Sequence, residues 1–403
     1  MLGTNFLLFD IDGVLINPSG YRKAVYDTTS YFLNKLGFAK ISINEEIITT
    51  FESIGITSEW DIIPLYLIIV TELSLIENQT DNTLDNIQDC YNFFRKYEFQ
   101  PEQKEIISTV LTLKGFLQDG VSVCDSLVNQ NFENKSIHVF KNVRSTMSWI
   151  ISEWLIESRN ILKSEILQYF QNLILGSELF HEITGLDWII ESEPYLVKYD
   201  SPLVLDEVRH KISNLNSKGN IFPSVITARP SSFPNGHTLE NSQLNFPEAE
   251  LALKCLKLEH IPCVGFGALE FLGKEKDGSG DQFVKPSPVH AMTAILISSG
   301  MDIIDALRLS YDYIFNERHK QIVDYLSGFT PPINVRIFED SSIGIQSLAT
   351  VCEQLTNNGL PINMIAYGIS TQQIKIDALI KENAIIYPTI NEAFSACVDI
   401  LRS

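Results

Sequence analysis

Two carboxylates one residue apart, Asp10 and Asp12, interrupt the apolar run FLLFDIDGVL from Phe6 to Leu15. Acids in such a run pack poorly, but their oxygens suit chemistry. A strand rises about 3.3 Å per residue and alternates its faces, so both acids can serve one metal ion only if the chain turns there. Gly13 supplies the backbone freedom for that turn.

Three later segments carry residues of complementary kinds. SVITARP puts Thr227 at the end of a strand, with Arg229 two positions on, and FVKPSP places Lys285 just before a helical pattern in which Pro286 fits an early turn. FEDSSIG ends a strand in a second acidic pair, Glu339 and Asp340. Each alone has a structural explanation: Thr227 as a cap or turn residue, Lys285 as a solvated amine, and the acidic pair as charges favoured at a helix start. Gathered in one place, four carboxylates with one ammonium and one hydroxyl would crowd like charge closely enough to need a metal ion or protonation.

The elements that must gather them follow from composition. Residues 21–200 hold 6 Gly and 3 Pro, whereas residues 201–403 hold 12 of each, which marks a boundary near residue 200. The first block reads as helices: MSWIISEWLIESRNILKSEILQYF carries Ile150, Trp154, Ile161 and Phe170 at helical spacing, and an amphipathic helix covering its own core explains it better than a partner-binding face. The second block alternates β-branched runs (NIFPSVIT, HIPCVGF, INVRIFED, MIAYGI, AIIYP) with helical patterns, which predicts parallel strands joined by crossover helices. One helix is expected in FPEAELALKCLKLEHIP, ended by Pro262, another after Ser342 that closes at Gly359, and GKEKDGSGDQ is expected as a surface loop. The N-terminal strand has no parallel partner within the helical block, so it should return to the later sheet. The expected fold is therefore an α/β, Rossmann-like parallel-sheet core (residues 1–20 and 200–403) with a large inserted α-helical cap (21–199). Open parallel sheets bind ligands beyond the carboxyl ends of their strands, where the Asp10–Asp12 pair lies.

Composition narrows the partners. The chain has 403 residues, 45% apolar and 20% charged, which fits a globular protein of two or three domains. A formal net charge of −20 disfavours nucleic acid and anionic membrane surfaces. The six cysteines form no CxxC pair, so neither a zinc site nor a disulfide framework is expected. With a strand beginning by Asn5 no leader is expected, and IIPLYLIIV from Ile62 is too short to span a bilayer, so a cytoplasmic protein is the expectation, in which the sequons at Asn78 and Asn134 carry no meaning. Oligomeric state leaves no signal. Gly265 and Gly267 resemble the start of a dinucleotide fingerprint, but the third glycine falls at Gly273, where the spacing fails. No GxSxG elbow occurs, and the histidines, among them His138, His237 and His290, show no paired ligand spacing.

Taken in order, DxDGVL, the Thr227 segment, Lys285 and EDSxxGIQS resemble the four motifs of the haloacid dehalogenase superfamily, specifically its phosphatase and phosphotransferase members with a helical cap inserted after the first motif. The resemblance covers about residues 1–20 and 200–403, with weaker matches in the cap at NPSGYRKAV and FESIGITSEWD. It implies that Asp10 attacks phosphorus to form an aspartyl-phosphate, and that Asp12 protonates the leaving oxygen and then activates water. Thr227 would hydrogen-bond a phosphoryl oxygen, Lys285 would offset charge on nucleophile and phosphate, and Arg229 would help bind substrate. Asp10, Glu339, Asp340 and the Asp12 backbone carbonyl would hold magnesium, which suits oxygen ligands and phosphoryl substrates. Arg22, Ser58 and Asp61 in the cap would read the leaving group on closure. An acid at position 12 favours phosphoryl transfer over dehalogenation. The implied function is a magnesium-dependent phosphatase acting on a small phosphorylated metabolite. A phosphomutase of the β-phosphoglucomutase type, or a non-catalytic binding or regulatory protein on the same scaffold, stands as the alternative.

Overall fold

The computed structural model describes residues 3–80, 82–97, 99–117, 122–133, 139–234 and 246–402; Asn134, His138 and His237 lie outside them. The chain divides into two compact units, one formed by Met1–Ser19 with Tyr199–Ser403 and the other by Gly20–Lys198.

The first unit is built on a six-stranded sheet of β1 (Thr4–Phe9), β4 (Phe222–Ile226), β5 (Cys263–Val264), β6 (Ile333–Glu339), β7 (Ile362–Ile369) and β8 (Ile385–Tyr387). Every pairing in it is parallel, and the strand order is β5-β4-β1-β6-β7-β8. β1 is buried on both faces, as a central parallel strand must be: Phe6 and Leu8 join one apolar core while Leu7 and Phe9 join the other. The chain leaves β1 toward β4 and β5, then crosses back to β6 on its other side. That reversal opens a crevice beyond the carboxyl end of β1. A short antiparallel ribbon completes the unit, pairing β2 (Ile16–Asn17) with β3 (Ser201–Pro202).

The helices differ in detail from the sequence pattern. The one in FPEAELALKCLKLEHIP spans Glu248–Leu256 and stops at Lys257, which takes the left-handed conformation itself, so Pro262 is not the stop. The helix after Lys285 begins at Pro288 rather than near Pro286. Six of the ten residues of GKEKDGSGDQ are not loop, because the helix Phe266–Glu275 runs into it and Gly280–Gln282 forms a 3-10 turn. The helix Ser342–Asn357 ends as expected, with Gly359 at φ +90°.

The second unit forms helices and no strand among its described residues. Its longest helix, Glu59–Glu77, is buried along most of its length, which explains why IIPLYLIIV is apolar without a polar stripe. The stretch read as one helix from Met147 is broken into Ser148–Ile150, a π-helical turn over Ile151–Ile156, and Glu165–Leu175. Asn160 and Ser164 cause the break: their side-chain oxygens accept from the backbone N–H groups of Leu162 and Leu167, an alternative to helical pairing. Among the described residues, no helix is long and apolar enough to cross a membrane.

Candidate active site

Asp10 follows directly on β1, and its backbone N–H donates to Phe338 O of β6 at 3.0 Å, so its place is fixed by the sheet ladder. Glu339 ends β6 beside it, and Asp340 follows. One carboxylate oxygen from each of Asp10, Glu339 and Asp340 lies within 4.8 Å of the others. Lys285 Nζ reaches into this group, donating to Asp10 Oδ1 at 2.8 Å and to Glu339 Oε1 at 2.6 Å. Ser341 Oγ donates to the other Glu339 oxygen at 3.0 Å, so both of that side chain's oxygens have donors. Asp340 pairs with Lys375, a residue that nothing in the sequence singled out.

Two glycines make this closeness possible. Gly13 sits at φ +76°, and a Cβ there would lie 2.3 Å from Asp340 Oδ2. At Gly344, in the first turn of the helix Ser342–Asn357, a Cβ would lie 1.8 Å from Glu339 Oε1. A side chain at either position would displace a carboxylate.

The electrostatics follow from burial. Asp10 is held well above the ordinary aspartate value, first by desolvation and then by Glu339, Asp340 and Asp12, with Lys285 opposing. Desolvation likewise raises Glu339, against Lys285. Burial works against the charge on Lys285, but Asp10 and Glu339 outweigh it, so the ammonium stays protonated. Three carboxylates thus face the buried Lys285 and, at Asp340, the exposed Lys375, which leaves one negative charge unbalanced there.

Lys285 is aimed by its neighbours. Its backbone N–H donates to His290 Nδ1 at 3.2 Å, so Nε2 carries the ring proton and donates to Val264 O at 3.0 Å. Burial, and secondarily Lys285, lower His290 to about 3, which keeps the ring neutral in that role. Ser347 Oγ secures the same loop by donating to Ser287 O at 2.6 Å.

Asp12 stands outside the trio of Asp10, Glu339 and Asp340 and is held by an arginine. Arg229 Nε donates to its two oxygens at 3.0 and 2.9 Å, and Nη2 donates to Asp12 Oδ1 and to Asp200 Oδ2, the latter at 3.1 Å. The Arg229 guanidinium, expected to help bind substrate, holds two aspartates of its own chain, and its side chain is 1% exposed. Thr227 is buried where β4 ends, its Oγ1 accepting from the Arg229 backbone N–H at 3.1 Å. The N-terminus of the helix Phe266–Glu275 braces the same loop: Phe266 N–H donates to Arg229 O and Gly267 N–H to Ser231 Oγ. Gly267 is required for that contact, since a Cβ would lie 1.9 Å from Ser231 O, and this accounts for the glycines that imitate a dinucleotide fingerprint.

The cap candidates belong to the second unit. Arg22 pairs with Glu52 at 2.7 Å and with Glu45 at 3.4 Å. Ser58 occupies the N-cap position of Glu59–Glu77 without a side-chain capping bond. Asp61 is buried in that helix's first turn, where it accepts from Arg159 Nη2 at 2.9 Å, and the Arg159 guanidinium lies over the Trp60 ring. Sequence reasoning missed Asp200, His290, Ser341 and Lys375. Two of these had a local signal: Ser341 stands in the EDSxxGIQS segment, and His290 lies five residues beyond Lys285.

No protein-family model matches the chain, and no curated protein sequence matches it. Two solved structures resemble it over 98% of its length and 99% of theirs. One is an X-ray structure from the Northeast Structural Genomics Consortium, at TM-score 0.55 and 15% identity; the other is a phosphatase from Thermococcus thioreducens, at TM-score 0.46 and 12% identity. At that identity the first likeness concerns the α/β fold alone.

Proposed function

We propose that this chain is a magnesium-dependent phosphatase of the haloacid dehalogenase superfamily, acting on a small phosphorylated metabolite through an aspartyl-phosphate on Asp10. The observation that carries the reading is the Lys285 ammonium joining the buried Asp10 and Glu339 in a trio completed by the half-buried Asp340. Residues from three distant parts of the sequence meet there at strand ends, with more negative charge than Lys285 and Lys375 together balance.

Magnesium fits this donor set. The oxygens are hard ligands, the site carries surplus negative charge, and the missing side chain at Gly13 lets the Asp340 carboxylate close up to the backbone that follows Asp12. Asp10, Asp340 and the Asp12 backbone carbonyl would hold it, while Glu339, engaged by Lys285 and Ser341, contributes charge. When bound, the ion neutralises phosphoryl oxygens so that an anionic nucleophile can approach.

In the first step an Asp10 oxygen bonds to phosphorus as the bond from phosphorus to the ester oxygen breaks, and Asp12 gives that oxygen its proton. In the second, water attacks phosphorus, Asp12 takes the water's proton, and the Asp10–phosphorus bond breaks to release phosphate. Lys285 holds Asp10 in line and offsets its charge. Thr227 supplies a hydroxyl to a phosphoryl oxygen.

A screen of phosphorylated metabolites with magnesium tests the reading through phosphate release. Asp10→Asn should lower turnover by at least about 10³-fold while leaving the fold intact, as judged by circular dichroism. Full activity in that variant would exclude the nucleophile, and binding of a phosphoester without phosphate release would favour a non-catalytic role.

A further inference from the structure

Asp12 has a double task in the proposed reaction, and its setting complicates it. A guanidinium only donates hydrogen bonds, and Arg229 donates to both Asp12 oxygens. To deliver a proton to a leaving group, one Asp12 oxygen must give up that contact. A buried guanidinium left without its carboxylate would then be uncompensated, and it would move or pull Asp12 back. Asp200 removes the difficulty. Its side chain is 1% exposed, and it accepts from Arg229 Nη2 on behalf of a second carboxylate.

We propose that Asp200 is a positioning residue, which holds the Arg229 guanidinium in place so that Asp12 can exchange one oxygen between Arg229 and the reacting ester oxygen. The chain path supports this. After Asp12 the backbone turns back, with Gly13 N–H donating to Ile16 O at 2.8 Å, and enters β2. β2 pairs with β3, Asn17 opposite Ser201, and Asp200 immediately precedes that pair. Asp12, the β2–β3 ribbon, Asp200 and Arg229 therefore close a ring, two sides of which are covalent chain and one a strand pairing. The Arg229 loop is fixed from outside the ring by the helix N-terminus at Phe266 and Gly267. Neither the charge nor the plane of Arg229 depends on Asp12 alone.

This inference rests on the phosphatase reading, and its test separates the two. Proton delivery matters most for a poor leaving group, so misplacing Asp12 should discriminate between esters. The full chain with magnesium, wild type and Asp200→Asn, is assayed on p-nitrophenyl phosphate and on glycerol 3-phosphate. Asp200→Asn should lower kcat/KM, which reports transfer to Asp10 and not the later hydrolysis that both esters share, by about 100-fold on the alkyl ester and by less than about threefold on the aryl ester. Asp200→Glu should recover most of the loss. Equal losses on both esters, or none, would overturn the positioning role. A second readout needs no turnover: in a crystal structure of Asp200→Asn, Arg229 Nε should lie more than about 4 Å from at least one Asp12 oxygen. If Asp200→Asn does not fold, Asp200→Glu carries both readouts, with a smaller effect of the same pattern. If the wild type releases phosphate from neither ester nor any member of the metabolite screen, the phosphatase reading fails, and the crystallographic distance alone decides: an unchanged Arg229–Asp12 pair would refute the role of Asp200.

Discussion

Glu72 of the helical unit and Glu339 of the sheet unit are both buried glutamates whose two oxygens are engaged, yet their partners differ in kind. Glu72 accepts from the backbone N–H groups of Asn142 and Val143 at 3.2 and 2.8 Å, and from the Asn142 side chain at 2.9 Å. These are neutral donors at the start of the helix Lys141–Thr146, so the carboxylate caps an element and helps hold the unit together. Glu339 accepts from an ammonium that it shares with Asp10, and Asp340 follows it in the chain. Its neighbours are other acids. Burial alone therefore does not mark a reactive carboxylate; a local surplus of acids over cations does, because such a surplus is costly to fold around unless an ion or a proton relieves it.

Removing the cation from the crowded site should break this contrast most severely. Lys285→Met is expected to lower turnover by about 10² to 10³-fold, measured as phosphate release, because the charge opposing nucleophile and phosphate is lost. It should also lower stability by about 3 kcal/mol in denaturant titration, since a buried ion pair is broken from one side. Glu72→Gln is the control. It should cost about 1 kcal/mol as a charge-assisted cap becomes a neutral one, and leave turnover unchanged. A Glu72→Gln variant that slowed turnover as much as Lys285→Met would show that charge surplus does not distinguish the two regions.

The same contrast bears on what the sequence made legible. Strand ends were readable because alternating apolar runs stop abruptly at polar residues, and the polar residue that ends a parallel strand lies at the ligand edge by geometry. Asp10, Thr227 and Glu339 were found that way, and so was the parallel sheet. Helix ends were less readable, because Lys257 takes a conformation usually left to glycine, and because Asn160 and Ser164 turn their side chains onto the backbone within a periodic apolar pattern. Partners of the site residues were not readable at all. Asp200 and Lys375 reach Arg229 and Asp340 across folds of the chain, and no local pattern marks a residue whose meaning is its distance to another. For the same reason Asp61 and Arg22 suggested substrate contacts, while their ion pairs with Arg159 and Glu52 came to light only in three dimensions.

A gentler perturbation sharpens the comparison through pH. Asp10 and Glu339 are raised in the folded state, chiefly by burial. A raised carboxyl binds its proton more readily in the folded chain, so its contribution to stability is full below the unfolded value and is lost as pH rises through the folded one. The metal-free protein should therefore lose stability as pH climbs above the ordinary values of 3.8 for Asp and 4.5 for Glu. His290 runs the other way. Lowered from 6.5 to about 3, it contributes fully above pH 6.5, and that contribution declines as pH falls toward 3. In the wild type the two trends oppose each other on the acid side of neutrality. His290→Gln keeps a donor and an acceptor but cannot take the proton, so the metal-free variant should show a melting temperature that rises steadily from about pH 8 to about pH 5, where the wild type levels off. Magnesium should flatten the alkaline limb in both, because it relieves the carboxylate surplus. Identical profiles for variant and wild type would remove His290 from the balance, and an alkaline limb indifferent to magnesium would place the surplus charge somewhere other than the Asp10, Glu339 and Asp340 trio.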